Sequence, residues 1–493
     1  MAAIRRQILR ARDLIGITLS VPESAVLLLG LSAIVIALLG VTLLRPDLDA
    51  YFLSFTVLTG LLSVPLVIGC VTRQMDPFNP TTVIAASYFL YFVYAPIRNL
   101  IAGQYYFFGK LIMPLLPLGS AYLAFGFIAL WVGYYSSRMA RHAIGVLPSP
   151  PEPRSGILAY AWVVAAIAVM AFTVYARLAG LSWVRLLTLG QLGSAPKMMQ
   201  DGVVSLSGDF GNYLYSMLDW LTAALLLFYA FARRGRKWLV VAFVALFLVY
   251  TTIGFRFRIV ILVLAPIVYY YLKRGTRPSS LRVGIVAIVS IFLIGTIGMA
   301  RDSFRAGERV DPQSISIASS GSSFSNDLNL YQGYLAMIDA IPREHQYLWG
   351  SSFAYLVFQP IPRSLWPGKP QAPVVTILNV ILGSEAVTAG IAYPNVGEFY
   401  ANFGALGIIG GMWLFGFLSR VLYEYLVAYR DNEWARIVYS LMFPFIIQII
   451  SRGYFVQIFQ EAAFLLMPIV GGVWLSRRVH RVSAREASGT VPA

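Results

Sequence analysis

The chain has 493 residues, of which 58% are hydrophobic and only 12% charged, with a net charge of +16 and a mean hydropathy of +0.71. Soluble globular domains carry about 25% charged residues, so this composition excludes a water-soluble enzyme, a disordered chain and a disulfide-built secreted scaffold. One cysteine (Cys70) permits no internal disulfide, and three histidines far apart (His142, His345, His480) make no His-rich metal site.

A helix crosses the hydrocarbon core of a bilayer, about 30 Å thick, with about 20 apolar residues. Twelve stretches of that kind follow one another, at roughly 24–44, 50–70, 80–101, 114–135, 157–178, 212–232, 238–255, 257–272, 281–299, 396–426, 435–451 and 455–476. The first has full spanning length and no small-residue cleavage site ahead of a soluble domain, so it reads as a span and not as a removed signal. The expected class is an all-α polytopic integral membrane protein of about 12 transmembrane helices.

Lys and Arg in short loops set the orientation. With the N-terminus inside, the inner segments hold 22 of the 38 basic residues, from Arg5, Arg6, Arg10 and Arg12 to Arg477, Arg478, Arg481 and Arg485. Both termini are therefore expected on the cytoplasmic side. The positive charge is scattered among short loops without a platform of stacking aromatics, which argues against nucleic acid.

The loops differ in kind. The inner segment 136–156 (containing LPSPPEPRSG) is Pro-rich and reads as a stiff linker. Two outer segments are substantial, 179–211 and about 300–395, and a loop of the second length is seldom mere connection. Its start is polar and Ser-rich. From Asp327 to Ile341, Leu328, Tyr331, Leu335 and Ile338 recur at helical spacing, as in an amphipathic helix lying on the membrane or on the bundle. A short apolar piece, SSFAYLVFQP (351–360), ends in a proline turn. The organisation expected is nine spans over 1–299, a lid-like, partly helical outer loop over 300–395, three spans over 396–476 and an inner tail over 477–493.

The informative polar groups are those near the outer surface that topology does not explain. GFRFR places Arg256 and Arg258 at the outer junction of spans seven and eight; Arg301 and Arg305 follow span nine, and Arg452 sits in SRGYF between spans eleven and twelve. Guanidinium is a fixed, always-charged fork that matches phosphate oxygens bidentately, so five such groups at headgroup depth point to a lipid pyrophosphate. The blander account is snorkelling or pairing with acids. IPRSLWPGKP (361–370) presents Arg363 and Lys369 on a proline-stiffened turn. In YPNVGEFYANFGALGIIGG (393–411) Glu398 and Asn402 share a helix face, and Gly404, Gly407, Gly410 and Gly411 form a small-residue stripe suited to close helix packing. Glu398 is either a general base for a sugar hydroxyl or a structural partner. His345 is a competing base. Asp219, within span six, is most simply the ion-pair partner of an outer-side arginine. No P-loop, GxSxG or HExxH is present.

The P-R-x-L-W-P-x-K-P turn followed by P-N-x-G-E-x-Y-x-N-F-G-x-x-G over 361–411, with DPFNP (76–80), GFRFR (254–258) and SRG (451–453), resembles the oligosaccharide repeat unit polymerases, the Wzy-type O-antigen and exopolysaccharide polymerases of the bacterial inner membrane. The resemblance implies a GT-C-like bundle with a periplasmic active site and no metal or nucleotide cofactor. It implies transfer of an undecaprenyl-pyrophosphate-linked growing glycan onto a single lipid-linked repeat, with a separate co-polymerase setting chain length. Periplasmic arginines are the family's usual functional residues; here the matching positions are Arg256, Arg258, Arg363 with Lys369, and Arg452. Two rivals remain, an O-antigen ligase-like transferase and a flippase of lipid-linked oligosaccharide.

Overall fold

The computed structural model describes residues 17–18, 21–44, 48–72, 74–153, 156–178, 198–200, 203–205, 208–232, 235–253, 256–278, 328–361, 365–370, 372–373 and 393–487. Its helices are α1 (Val21–Leu44), α2 (Asp49–Leu62), α3 (Val64–Thr72), α4 (Pro80–Phe89), α5 (Ala95–Ile101), α6 (Leu116–Tyr135), α7 (Ser137–Val146), α8 (Ile157–Leu178), α9 (Gly208–Ser216) and α10 (Asp219–Phe231). They continue as α11 (Arg236–Ile253), α12 (Arg256–Arg274), α13 (Leu330–Ala340), α14 (Ser351–Phe358), α15 (Asn395–Ala428), α16 (Glu433–Ser451) and α17 (Phe455–Ala487). A π-turn, Leu90–Tyr94, joins α4 to α5 into one rod. Among the described residues, strands are confined to three two-stranded pairs, such as Tyr106–Phe107 against Lys110–Leu111.

Eleven of the twelve predicted stretches coincide with these helices; the remaining one, 281–299, lies outside the described residues. Among the described residues, seven helices are long and apolar enough to cross a membrane, or eight if α2 and α3, bent by 42° at their junction, count as one span. The protein is thus an all-helical membrane protein, with the figure of twelve spans not reached. Local chemistry starts several helices where the sequence would: Asn79 and Asn432 cap α4 and α16, their side chains accepting from Thr81 N at 3.0 Å and Trp434 N at 2.9 Å.

At the centre α6 and α15 pack backbone to backbone. A β-carbon at Gly133 would overlap the Trp413 carbonyl, and one at Gly416 would overlap the Leu130 carbonyl, so only glycine lets the axes approach this closely. The glycines expected to do this do something else. Gly407 and Gly411 are covered by Phe399 of their own helix, because α15 breaks at Phe403–Gly404 and folds its first two turns back. Gly404 has φ +63° and ψ −145°, a conformation an L side chain rarely adopts, and Gly410 faces open space.

The expected amphipathic helix exists as α13, but it does not lie on a surface. Every residue from Leu330 to Ile338 is buried, inserted between the π-turn, α6 and the start of α15, where Tyr334 donates to the Gly119 carbonyl at 3.0 Å. Its tyrosines turn polar edges inward and find partners there, so the helix needs no polar face.

The loops read as inner and those read as outer separate to opposite ends. At one end Arg277 pairs with Asp76 (2.6 Å and 2.9 Å), Lys273 with Glu433 (3.1 Å), and Asn432 Nδ2 donates to the Pro151 carbonyl (3.0 Å). The other end gathers α13, α14 and the α16–α17 turn, with Arg98 donating to Asn329 at 2.6 Å and Lys110 paired with Glu344 at 2.9 Å.

Candidate active site

The segment 393–398 docks onto the turn 451–455. Gly453 N donates to the Tyr393 carbonyl at 2.7 Å, and a side chain at Gly453 would collide with the backbone of Pro394 and Asn395. Asn395 Oδ1 accepts from Tyr88 Oη at 2.8 Å and from Val396 N at 3.0 Å. Gly397 lies under Met337 of α13. Glu398, 1% exposed, accepts from Phe455 N at 2.6 Å through Oε2. Phe455 is the first residue of α17, so the carboxylate caps a helix N-terminus, where unpaired N–H groups and the helix dipole favour negative charge. The Ser352 hydroxyl lies beside the same carboxylate, yet Oε1 has no well-formed hydrogen bond.

Asn402, fully buried, ties the break in α15 to the chain before α14. Its Nδ2 donates to Ser352 Oγ and to the Glu398 carbonyl, both at 2.8 Å; its Oδ1 accepts from Gly350 N at 3.0 Å and its carbonyl from Trp349 N at 3.1 Å.

Arg452 stands on the turn so held, next to a second buried polar cluster. Arg258 grips Asp219 with both arms of its fork, Nε to Oδ1 at 2.6 Å and Nη2 to Oδ2 at 3.2 Å, and its guanidinium lies 4.4 Å from the Tyr215 ring centroid. Glu461 of α17 accepts from Gln448 and, at 2.9 Å, from Gln457. It lies within electrostatic reach of both Arg258 and Arg452, and Arg452 also acts on Tyr91. Three helices and the 451–455 turn thus converge on two arginines and two carboxylates.

Comparison with known proteins identifies the assembly. The family model described as O-antigen polysaccharide polymerase Wzy matches residues 25–479. The chain belongs to the Wzy family. It is therefore a multi-pass membrane polymerase that joins O-antigen repeat units, a glycosyltransferase-type reaction on lipid-linked oligosaccharide. No curated protein and no solved structure matches the chain.

The nominated residues of this Wzy polymerase separate into groups. Glu398, Asn402 and the 451–455 turn that carries Arg452 are brought together, and the PNxGE and SRG segments touch directly. Arg258 is near Arg452 through Glu461, but its fork is turned to Asp219, which makes the expected ion pair. Arg256 opens α12. Lys369 is buried and turned back on its own segment, donating to the carbonyls of Gln359 (3.2 Å) and Ile361 (3.0 Å). His345 contacts the adjacent Gln346 carbonyl at 2.6 Å. Arg301, Arg305 and Arg363 lie outside the described residues. DPFNP is at the opposite end, where Asp76 pairs with Arg277, Asn79 caps α4 and the Phe78 carbonyl accepts from Tyr439.

Three side chains of this cluster escaped sequence reasoning: Ser352, Gln448 and Glu461. Glu461 carried a usable signal, an ionisable residue inside an apolar span with Gln457 one turn before it. Ser352 carried none, since a serine at the start of a short helix is commonplace. Among the described residues no group of three or more His, Cys, Asp or Glu is placed to hold a metal ion.

Proposed function

We propose that this Wzy polymerase extends its glycan at the outer, periplasmic face of the inner membrane, with Arg452 as the cation on the leaving pyrophosphate. The growing chain arrives on undecaprenyl pyrophosphate. A hydroxyl at the non-reducing end of a lipid-linked repeat attacks its anomeric carbon. The new glycosidic C–O bond forms as the bond from that carbon to the pyrophosphate breaks. The pyrophosphate leaves with the bonding electrons, and the hydroxyl proton passes to it or to water. Negative charge builds on the departing oxygen, where a fixed guanidinium is worth most.

The observation that carries this reading is the locking of the Arg452 turn by residues 393–398: glycine-tight contact at Gly453 and the Glu398 bond to Phe455 N leave the turn one position. A cation held this way costs no reorganisation during reaction. Glu398 is on this reading a positioning residue and not the base, because it is 1% exposed and already caps α17. Glu461 and the Arg258–Asp219 pair support Arg452 from behind. The excess of Lys and Arg at the opposite end supports reading that end as cytoplasmic and this one as periplasmic. The co-polymerase that sets chain length is a proposed partner.

Reconstitution in liposomes with one defined lipid-linked repeat tests the proposal. Wild type should yield a ladder of polymer, and Arg452→Ala, inserted in equal amount, should yield single repeats only. Long polymer from that variant refutes the assignment. Transfer only to a different acceptor would indicate a ligase, and repeats that cross the bilayer unjoined would indicate a flippase.

A further inference from the structure

At the end remote from Arg452, a cleft of about 300 Å³ opens between the C-terminus of α12, the α15–α16 turn and the first turns of α16. Lys273, Arg274, Arg277, Arg430 and Arg436 line it, against one lining carboxylate, Asp431. A cleft of the same volume lies across the same turn and is lined by Arg141 and Arg430 against Glu152, Glu424 and Asp431. Topology alone explains basic residues at this end, but it does not explain why neighbouring clefts differ so sharply. Charge is concentrated in one of them.

We propose that this cleft binds a phosphate-bearing anion, supplied in the cell by the headgroup of an anionic phospholipid. Behind the lining, Asp76 engages Arg277 (2.6 Å) and Glu433 engages Lys273 (3.1 Å) and Arg436 (3.2 Å). With Asp431 that makes three carboxylates against five cations, an excess of two positive charges. The excess falls on Arg274 and on Arg430 and Arg436, which share Asp431 at 3.6 Å each. Arg274 is exposed with its guanidinium 4.6 Å from the Tyr270 ring centroid, which holds the fork at the rim. Arg430 meets its acid, Asp431, only at 3.6 Å, and that acid is 75% exposed. Arg436 brings a buried Nε without a hydrogen-bond partner. Guanidinium forks take phosphate oxygens in pairs. Tyr270, under Arg274, is an aromatic of the kind found at headgroup level. Basic pockets between transmembrane helices on the cytoplasmic side are suited to anionic headgroups. Along α16 the cleft residue Arg436 is 16 positions from Arg452, about 24 Å at 1.5 Å per residue, so the site is separate from the proposed glycan chemistry.

The full-length protein in a neutral detergent would be examined by native mass spectrometry with three probes at equal concentration: phosphatidylglycerol, phosphatidylcholine and inorganic phosphate. Phosphatidylglycerol should be retained over phosphatidylcholine. Each cation is worth about fivefold in affinity for an anionic lipid, so Arg274→Gln with Arg430→Gln should weaken retention about thirtyfold. Arg138→Gln with Arg478→Gln removes the same charge at the same end outside the cleft and should leave retention unchanged. Arg274→Gln alone, at the exposed rim, gives a second variant with an intermediate loss should the pair fold poorly. Retention of inorganic phosphate, lost in the cleft variants only, would support the anion site and assign its source to free phosphate. Equal loss in the control pair, or no preference for either anionic probe over zwitterionic phosphatidylcholine, overturns the proposal. Polymer formation by Arg452 is read in a different assay and is unaffected by either result.

Discussion

Replacing Asp219 by Asn would leave the Arg258 guanidinium, 3% exposed, among apolar helices without its countercharge. Removing one partner of a buried ion pair costs about 3–5 kcal/mol, because the remaining charge is desolvated and unpaired. Glu461 stands within electrostatic reach of Arg258 and offsets part of that, so about 3 kcal/mol is expected for Asp219→Asn. A neutral polar contact in a membrane protein averages only about 0.6 kcal/mol, so a loss near 3 would read the charge and not the hydrogen bond. Arg258→Gln should cost a comparable amount, and the double variant should recover most of the loss. The cycle can be measured by denaturant unfolding in detergent micelles, with polysaccharide length scored in membranes from the same cells. On the proposed reading the double variant is stable and still polymerises, since Arg258 supports the site without touching substrate. A double variant that unfolds like wild type yet makes no polymer would refute this, and would move Arg258 into contact with the pyrophosphate. A stable Asp219→Asn single variant would refute the buried pair itself.

Two further substitutions test how the Arg452 turn is held. Glu398→Gln keeps an oxygen to accept from Phe455 N, so polymer length should stay near wild type, whereas Glu398→Ala removes the cap at a cost of about 1 kcal/mol and should shorten or abolish polymer; loss of all polymer in the Gln variant, measured on gels of extracted polysaccharide, would instead make Glu398 the base. Gly453→Ala forces a β-carbon against the Pro394 carbonyl, which cannot move without breaking the Gly453–Tyr393 bond. Overpacking against backbone costs about 1–3 kcal/mol, so this variant should insert, melt earlier and lose polymer, while Gly410→Ala, which meets nothing, should melt and polymerise as wild type.

The site was legible in proportion to how local its chemistry is. Glu398 and Asn402 lie four residues apart, and their shared helix face followed from that spacing, as did the N-caps at Asn79 and Asn432. Arg452 stood out as a cation with no topological reason to be there. Ser352, Gln448 and Glu461 join the site from other helices, and no spacing within one segment announces a meeting across 50 residues or more, such as Asn402 with Ser352. The misjudged features share that cause. α13 has the apolar spacing of a surface helix, but a bundle with room to take it in satisfied its tyrosines internally. The glycine stripe of α15 was read for a straight helix, and the break at Phe403–Gly404 turned two of its members onto Phe399.

Hydrophobic length and apolar content, properties summed along the chain, determined by themselves that the protein is a helical membrane protein. They did so because a bilayer tests each segment separately, by its length and its apolar content. Which arginine is locked into a buried ion pair was decided only in three dimensions. Arg258 and Arg452 are alike in sequence, both basic and both beside the end of an apolar stretch. They differ because Asp219 lies opposite one of them, while a glycine-tight turn presents the other. Charge pairing in a low-dielectric interior depends on separations of a few ångströms, and those separations exist only once the helices have packed.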